Sequence, residues 1–295
     1  MKLRRSGEDR LLAELLPSLG RPRGVIAPAG DDCAVVPSPG GRLLLLKCDC
    51  VVEKVHFRTE TPPRSIGWKA MMRPLSDFAA MSGVPQFALI TLMLPRATTT
   101  LWVRKLYDGL TRAASKFNVA IVGGETSCTP GPVAISVTVS GFVERDRWVA
   151  RGGGRAGDDL FVTGRLGGSI RGKHLTFVPR IDESRWLTKN FTIHAMMDLS
   201  DGLGADLPRL AAASRVGFEI DEKSLPRSAG SGIRQAMADG EDYELLFAVP
   251  AEDRARLVTR WQKRFPKLPL ARIGRLTRKS ARPNQKLPDG YVHFQ

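Results

Sequence analysis

What most constrains the fold of this chain is an alternation of short apolar runs with longer helical patterns, broken once by a charged, glycine-rich stretch at residues 144–157. Before that stretch, Leu43–Val52, Phe87–Leu94, Val119–Val122 and Val133–Val143 read as strands. Pro63–Met81 and Thr98–Phe117 read as helices, the first ended by Ser82-Gly83 and the second opened by a threonine run. A further helix is expected from Ser6, which can cap it ahead of Glu8 and Asp9, to Gly20, with Leu11, Leu12, Leu15, Leu16 and Leu19 at helical spacing. Beyond the break, strands are expected at Asp159–Thr163, His194–Leu199, Phe218–Ile220 and Leu245–Val249. Helices are expected near Ile181–Lys189, Gly204–Ser214, Ser231–Ala238 and Ala251–Phe265. Strands alternating with helices on both sides of one linker predict an α/β fold of two α/β domains, residues 1–145 and 146–295. A length of 295 residues suits that division.

Composition removes several classes of function. No apolar run approaches the roughly 20 residues that span a bilayer, and Met1-Lys2-Leu3-Arg4-Arg5 lacks the apolar stretch of a signal peptide. A cytoplasmic protein without membrane contact is expected. Cys33, Cys48, Cys50 and Cys128 match no zinc spacing and read as reduced thiols. A formal charge of +15 invites a nucleic-acid reading. The basic residues are dispersed, however, with no aromatic-interleaved motif, so a solvated basic surface is the expectation and a nucleic-acid partner is not.

The chemistry is concentrated in carboxylates set among apolar residues. Asp31-Asp32 follows Gly30 in a turn, Asp49 lies inside an apolar strand, and Asp77 lies on an apolar helix. Glu125 follows two glycines at the end of a short strand, and Asp198 and Asp201 follow an apolar run. A carboxylate in such surroundings is costly to ionise unless cations or donors compensate it. Two brought within 4 Å repel by roughly 4 kcal/mol near a protein surface. Divalent cations remove that repulsion, and all-oxygen ligands favour Mg²⁺ over zinc. Simpler readings stand beside this one. Asp31-Asp32 suits a turn, Asp201 suits the cap of the helix that follows it, residues 241–244 suit a solvated turn, and His56 suits an ordinary core or surface position. There is no phosphate-binding GxxxxGK[ST] loop and no protein-kinase HRD or DFG triplet, so phosphates would be held by metals, glycine-turn amides and a few basic groups.

Taken in order, several segments resemble the thiamine-monophosphate kinase family, within the superfamily that includes aminoimidazole ribonucleotide synthetase. They are Gly30-Asp-Asp-Cys-Ala-Val-Val36, Asp49 to His56-Phe57, Leu75-Ser-Asp-Phe-Ala-Ala-Met81, Gly123-Gly-Glu-Thr126, Gly141-Phe142, Arg151-Gly152 and Ala156-Gly-Asp158. Asp198-Leu-Ser-Asp-Gly-Leu203, Gly240-Glu-Asp-Tyr-Glu-Leu-Leu-Phe247 and Gly290-Tyr-Val-His-Phe294 complete the set. The resemblance implies a homodimer whose N-terminal sheets form a barrel, ATP as co-substrate, several Mg²⁺ ions, and conversion of thiamine monophosphate to thiamine diphosphate. It implies metal ligation by Asp31, Asp49, Asp77, Glu125, Asp198 and Asp201. ATP contacts are implied at Tyr107, Gly124, Glu125, Arg151 and Ser200, and thiamine monophosphate contacts at His56, Glu241 and Tyr291. No residue is expected to act as a general base, because the acceptor phosphate oxygen is already ionised at neutral pH.

Three positions depart from the family pattern. Lys47-Cys48 stands where hydroxyl residues usually precede the strand aspartate, and strand alternation puts Lys47 on the face of Asp49. Lys47 is thus a candidate substitute for a metal ion. Glu125 replaces the usual Asp, and Pro74 replaces the usual Asn, where it is expected to bend the helix or start a new one. Competing expectations are a relative with another substrate, a nucleotide-binding homodimer without activity, and an accessory nucleic-acid binder.

Overall fold

The computed structural model describes residues 10–20, 24–27, 30–279 and 286–291. Two five-stranded sheets are joined by one long helix. The first sheet holds β1 (Ala34–Pro37), β2 (Arg42–Val52), β3 (Val84–Leu94), β4 (Ala120–Cys128) and β5 (Ala134–Glu144), in the order β1-β2-β5-β3-β4. All its pairings are antiparallel except β3 with β4, which needs a crossover and is connected by α2 (Thr100–Lys116). Thr99 caps α2 by accepting from the Trp102 N–H.

In the second sheet β6 (Asp159–Thr163), β7 (Ala195–Asp198), β8 (Gly217–Ile220), β9 (Leu245–Val249) and β10 (Leu270–Thr277) run in the order β7-β9-β6-β10-β8. Helices α3 (Ile181–Asn190), α4 (Leu203–Ser214), α5 (Ile233–Ala238) and α6 (Arg254–Arg264) accompany it.

The joining helix, α1 (Pro63–Ala80), comes between β2 and β3 and is buried along most of its length, including Ile66, Met71, Met72, Leu75 and Phe78. A helix apolar on nearly every side belongs inside a molecule. Here it packs against β2 and β5 of the first sheet, and against α3 and β7 of the second half. Its approach to α2 is very close: a Cβ on Gly67 would meet the Leu106 carbonyl at 2.1 Å, and one on Gly109 the Arg64 carbonyl at 2.0 Å.

Strand periodicity divides the core in two. In β6 the Phe161 side chain joins the core around α1, while Leu160 and Val162 face a second core with Leu203, Leu207 and Ile273. Covered on both faces, β9 is a continuous apolar run and β6 carries one at its centre, Leu160 to Val162, the pattern that made them readable from sequence. The first sheet is covered on one face only. Val35, Leu43, Leu45, Val137 and Val139 point toward α1, whereas Leu46, Phe87, Leu89 and Val122 are exposed on the other side.

Several expectations are corrected. β1 and β10 were not anticipated. The glycines at 123 and 124 do not end a strand, since β4 runs through Glu125 to Cys128. Pro74 neither ends nor restarts α1; the helix runs through it, its missing N–H accommodated at a fully buried position. The segment 144–157 is not a free linker: Val149 is buried and the Ala150 carbonyl accepts from Met196 N–H of β7. Ser6, Glu8 and Asp9 lie outside the described residues; residues 10–15 are helical and a 3₁₀ turn, Leu16–Leu19, leads to Gly20. Among the described residues no helix is long and apolar enough to cross a membrane, and all four cysteines are free.

Candidate active site

Four segments deliver carboxylates to one place. Alternation along β2 turns Lys47 and Asp49 inward, opposite the buried Val139 and Val137 of β5. Helix α1 brings Ser76 and Asp77, the end of β7 brings Asp198, and the turn before β1 brings Asp32. Oxygens of Asp32, Asp77 and Asp198, all buried, lie within 4.8 Å of one another. Lys47 Nζ sits 2.8 Å from Asp77 Oδ1, the Ser76 hydroxyl donates to Asp198 Oδ2 at 2.6 Å, and Arg151 pairs with Asp32 Oδ1 at 2.7 Å. The other Asp32 oxygen, Oδ2, is buried without a hydrogen-bond partner.

The electrostatics follow from this crowding. Burial raises the Asp77 carboxyl well above its ordinary range, the Lys47 ammonium opposes that rise, and Asp49, Asp198 and Asp32 add to it. Burial likewise raises Asp198, with Asp32 adding to the rise and the Ser76 bond and Lys47 opposing it. A cation among these oxygens would reverse both shifts. The donor set is all oxygen, three carboxylates converge, and one buried lone-pair site has no donor. These features fit a hard divalent ion such as Mg²⁺.

Beside this group lies a cavity of about 580 Å³ lined by His56, Arg73, Ser200, Glu241, Tyr243 and Tyr291, among others. Arg73 links the two regions: it lines the cavity, donates to the Cys50 carbonyl at 2.9 Å and has Nε 4.0 Å from Asp49 Oδ2. On the far side Glu241 is held by Lys69 and His174. Lys69, fully buried on α1, reaches Glu241 at 2.6 Å and the His174 Nδ1 at 2.9 Å. Burial would raise the Glu241 carboxyl, but the His174 hydrogen bond and the Lys69 charge prevail and hold it down at about 2. For Lys69, burial dominates over Glu241 and lowers the ammonium to about 8. Glu241 and Tyr243 both take positive φ, 63° and 51°. That is an uncommon backbone for such residues, and it ends with Glu241 aimed into the cavity and Tyr243 stacked on Phe177 at 3.9 Å. Residues 286–291 close one side; Tyr291 N–H donates to the Asp201 carbonyl, and a Cβ on Gly290 would meet that carbonyl at 2.4 Å.

Of the expected site residues, Asp49, Asp77 and Asp198 are gathered at the carboxylate group. Asp31 adjoins it, but its carboxylate accepts from the Arg151 backbone N–H at 3.1 Å, and Asp32 completes the trio instead. Asp201 does not cap α4, whose N-cap is Gly202; its carboxylate is taken by Arg209 at 2.5 Å. His56, Ser200, Glu241 and Tyr291 line the cavity. Glu125 stands elsewhere. It lies on exposed edge strand β4, in the row Glu125–Thr91–Ser136–Cys50, so three strand spacings, roughly 14 Å, separate it from β2. It also shares the outward face with Ser136 and Cys50, opposite to Asp49. Gly124 sits beside it, where a Cβ would meet the Ile90 carbonyl at 1.8 Å. Tyr107 is half-buried on α2 against the core. Within one chain these three do not reach the carboxylates or line the cavity.

Lys69, Arg73, Ser76, His174 and Tyr243 were missed as site residues. For two of them a signal existed: Lys69, Arg73 and Asp77 recur every fourth residue along an otherwise apolar helix and so share one face.

Comparison with known proteins gives a consistent result. Residues 30–143 match the family model of the AIR synthase related protein N-terminal domain, and residues 149–282 match that of the C-terminal domain. A thiamine-monophosphate kinase of Rhodopirellula baltica is 38% identical over 291 residues, covering 90% of this chain and 90% of that protein. Its counterpart in Aquifex aeolicus is 36% identical over 84% of this chain and 85% of its own. A solved structure of AaThiL complexed with AMPPCP and TMP superposes with a TM-score of 0.85 at 32% identity, covering 99% of both chains. Hydrogenase maturation protein HypE, at 18% identity and a TM-score of 0.69 over 96% of this chain and 93% of its own, shares the fold.

Proposed function

The chain belongs to the thiamine-monophosphate kinase family of AIR synthase related proteins, and from that premise we propose that it transfers the γ-phosphoryl group of ATP directly to thiamine monophosphate in the cytoplasm. The observation that carries this reading is the adjacency of a buried trio of carboxylates to a cavity with both an anionic and an aromatic wall. A cationic thiazolium suits the Glu241 carboxylate and the Tyr291 ring. Mg²⁺ held on the Asp32 and Asp198 side of the carboxylate trio would neutralise phosphate charge, which is the main requirement when donor and acceptor are both anions.

The chain's own groups do the rest. Arg73 and Arg151 flank the carboxylates and offer guanidinium donors to phosphate oxygens. Lys69 and His174 keep Glu241 ionised and fixed in direction, so the cavity presents a charge where the thiazolium binds. Burial around Asp77 and Asp198 excludes water that would otherwise compete as acceptor. No general base is needed for an acceptor oxygen already ionised at neutral pH.

The dimer belongs to the same reading. Leu46, Phe87, Leu89 and Val122 form an uncovered apolar sheet face that a second copy of the chain would bury, closing a barrel. Such a dimer would also give Glu125, Gly124 and Tyr107 a route to the site of a partner subunit. The test is direct: purified protein with Mg·ATP and thiamine monophosphate, with thiamine diphosphate measured. Formation of thiamine diphosphate is the expected result. Tight nucleotide binding with no product would overturn the kinase reading in favour of a binding-only homodimer.

A further inference from the structure

We infer that Lys47 is a built-in cation of the carboxylate group, occupying the position at Asp77 that a divalent ion would otherwise take. The chain then binds its nucleotide with one metal ion fewer than its carboxylates could hold. This rests on the proposed metal-dependent phosphoryl transfer, but concerns which charges carry it.

The three carboxylates of the trio are compensated unequally. Asp77 has a full positive charge at hydrogen-bond distance, 2.8 Å from its Oδ1. Among the described residues Asp198 has the neutral Ser76 hydroxyl alone as hydrogen-bond donor, and Asp32 Oδ2 has no partner although it is buried. The unmet demand for positive charge is therefore on the Asp32–Asp198 side, and at Asp77 it is already met. The register of β2 against β5 fixes Lys47 there. Lys47 lies opposite Val139 and Asp49 opposite Val137, so both polar side chains leave the same inward face of a strand whose other inward residues, Leu43, Leu45 and Val51, are core.

Charge counting points the same way. Asp31, Asp32, Asp49, Asp77 and Asp198 face Lys47, Arg73 and Arg151, which leaves two negative charges uncompensated. A single divalent ion balances them. A second one on Asp77 would have to approach an ammonium that already holds its Oδ1, and like charges at such distances repel strongly in a partly desolvated site. An ammonium also differs from a metal in kind. It never dissociates, and its three N–H donors can turn between a carboxylate and a phosphate oxygen.

The experiment counts ions rather than turnover. Bound Mn²⁺ per chain is measured by electron paramagnetic resonance at saturating non-hydrolysable ATP analogue, for the wild type, Lys47→Met and Lys47→Ser. Each variant is expected to bind one further Mn²⁺ per chain. Equal counts in wild type and variants would overturn the inference, as would a wild type that binds no Mn²⁺. Should neither variant fold, wild-type crystals soaked in Mn²⁺ with the same analogue decide the matter. Anomalous density is expected beside Asp32 and Asp198, and a Mn²⁺ in contact with Asp77 would overturn the assignment. A gain of one ion in the variants together with absent thiamine diphosphate formation would strike the proposed reaction alone and leave the role of Lys47 standing.

Discussion

Two sets of buried carboxylates in this molecule are treated in opposite ways. Glu244, just before β9, and Asp159, on β6, are saturated: Glu244 receives two bonds from Arg180 at 2.7 Å each, one from Lys173 at 2.9 Å and one from the Thr163 hydroxyl at 2.9 Å. Asp159 is likewise held by Arg254 and Arg272 at 2.5 and 2.6 Å. At the meeting point of β2, α1 and β7, Asp198 has one hydroxyl and Asp32 one unpartnered oxygen. Residue type is the same in both regions. The difference lies in compensation, and it separates carboxylates that hold the fold from carboxylates kept short of cations for a ligand to supply.

The strongest way to break this comparison is to remove a saturated carboxylate. Glu244→Ala leaves Arg180 and Lys173 facing an empty, buried position. A loss of about 3–5 kcal/mol is expected, seen as a fall of about 10 °C in the thermal midpoint. Asp198→Asn should do the reverse. It removes a charge that the fold does not compensate, so the metal-free midpoint should hold or rise. Thiamine diphosphate formation should meanwhile fall by about 10²–10³-fold, the scale of losing one electrostatic element of an active site. A variant that loses stability and keeps activity would erase the distinction.

How far this was legible in the sequence depends on what each residue's neighbours are. β6 and β9 were readable to the residue because both of their faces are buried, β9 being uniformly apolar and β6 carrying Leu160, Phe161 and Val162 between Asp159 and Thr163. β10 was not, because Arg272 and Arg275 pair with Asp159 and Glu219 across the sheet, and in sequence they look like a solvated basic run. β1 is only four residues and ends in Pro37. Asp49, Asp77 and Asp198 stood out by their apolar flanks. Choosing Asp32 over Asp31 required the turn itself, since neighbours in a turn diverge and spacing cannot rank them. The pairing of Glu241 with Lys69 and His174 was hidden for another reason: it spans residues 69, 174 and 241, from both halves of the chain.

Ligand addition sharpens the comparison at smaller scale. Mg²⁺ at about 100 times its dissociation constant should raise wild-type stability by about 2.7 kcal/mol. A chelator should remove that gain, as followed by differential scanning calorimetry. Asp198→Asn should show less of the gain, whereas Arg254→Ala, which touches only the saturated region, should show all of it.

Acidity provides the last and smallest test, because the cavity carboxylate and the metal-facing one bend the pH profile in opposite directions. Glu241 stays ionised in the folded chain down to about 2, while an unfolded glutamate protonates near 4.5. Its bonds to His174 and Lys69 therefore stabilise fully between pH 4.5 and the approach to about 8, where Lys69 loses its proton, and the contribution is lost as pH falls from 4.5 toward 2. With the side chain 22% exposed, about 2 kcal/mol is at stake after solvent screening. Asp198 is shifted upward, so in metal-free protein its burial penalises the fold at neutral pH, and the penalty is relieved as pH falls below about 7. The metal-free thermal midpoint, measured from pH 8 to 3, should accordingly gain from Asp198 protonation before it loses the Glu241 pair. Glu241→Gln should flatten the acid limb alone, and Asp198→Asn the near-neutral limb alone. If either substitution altered both limbs, the two carboxylates would be one coupled system, and the division between a saturated and an uncompensated region would fail at the cavity wall.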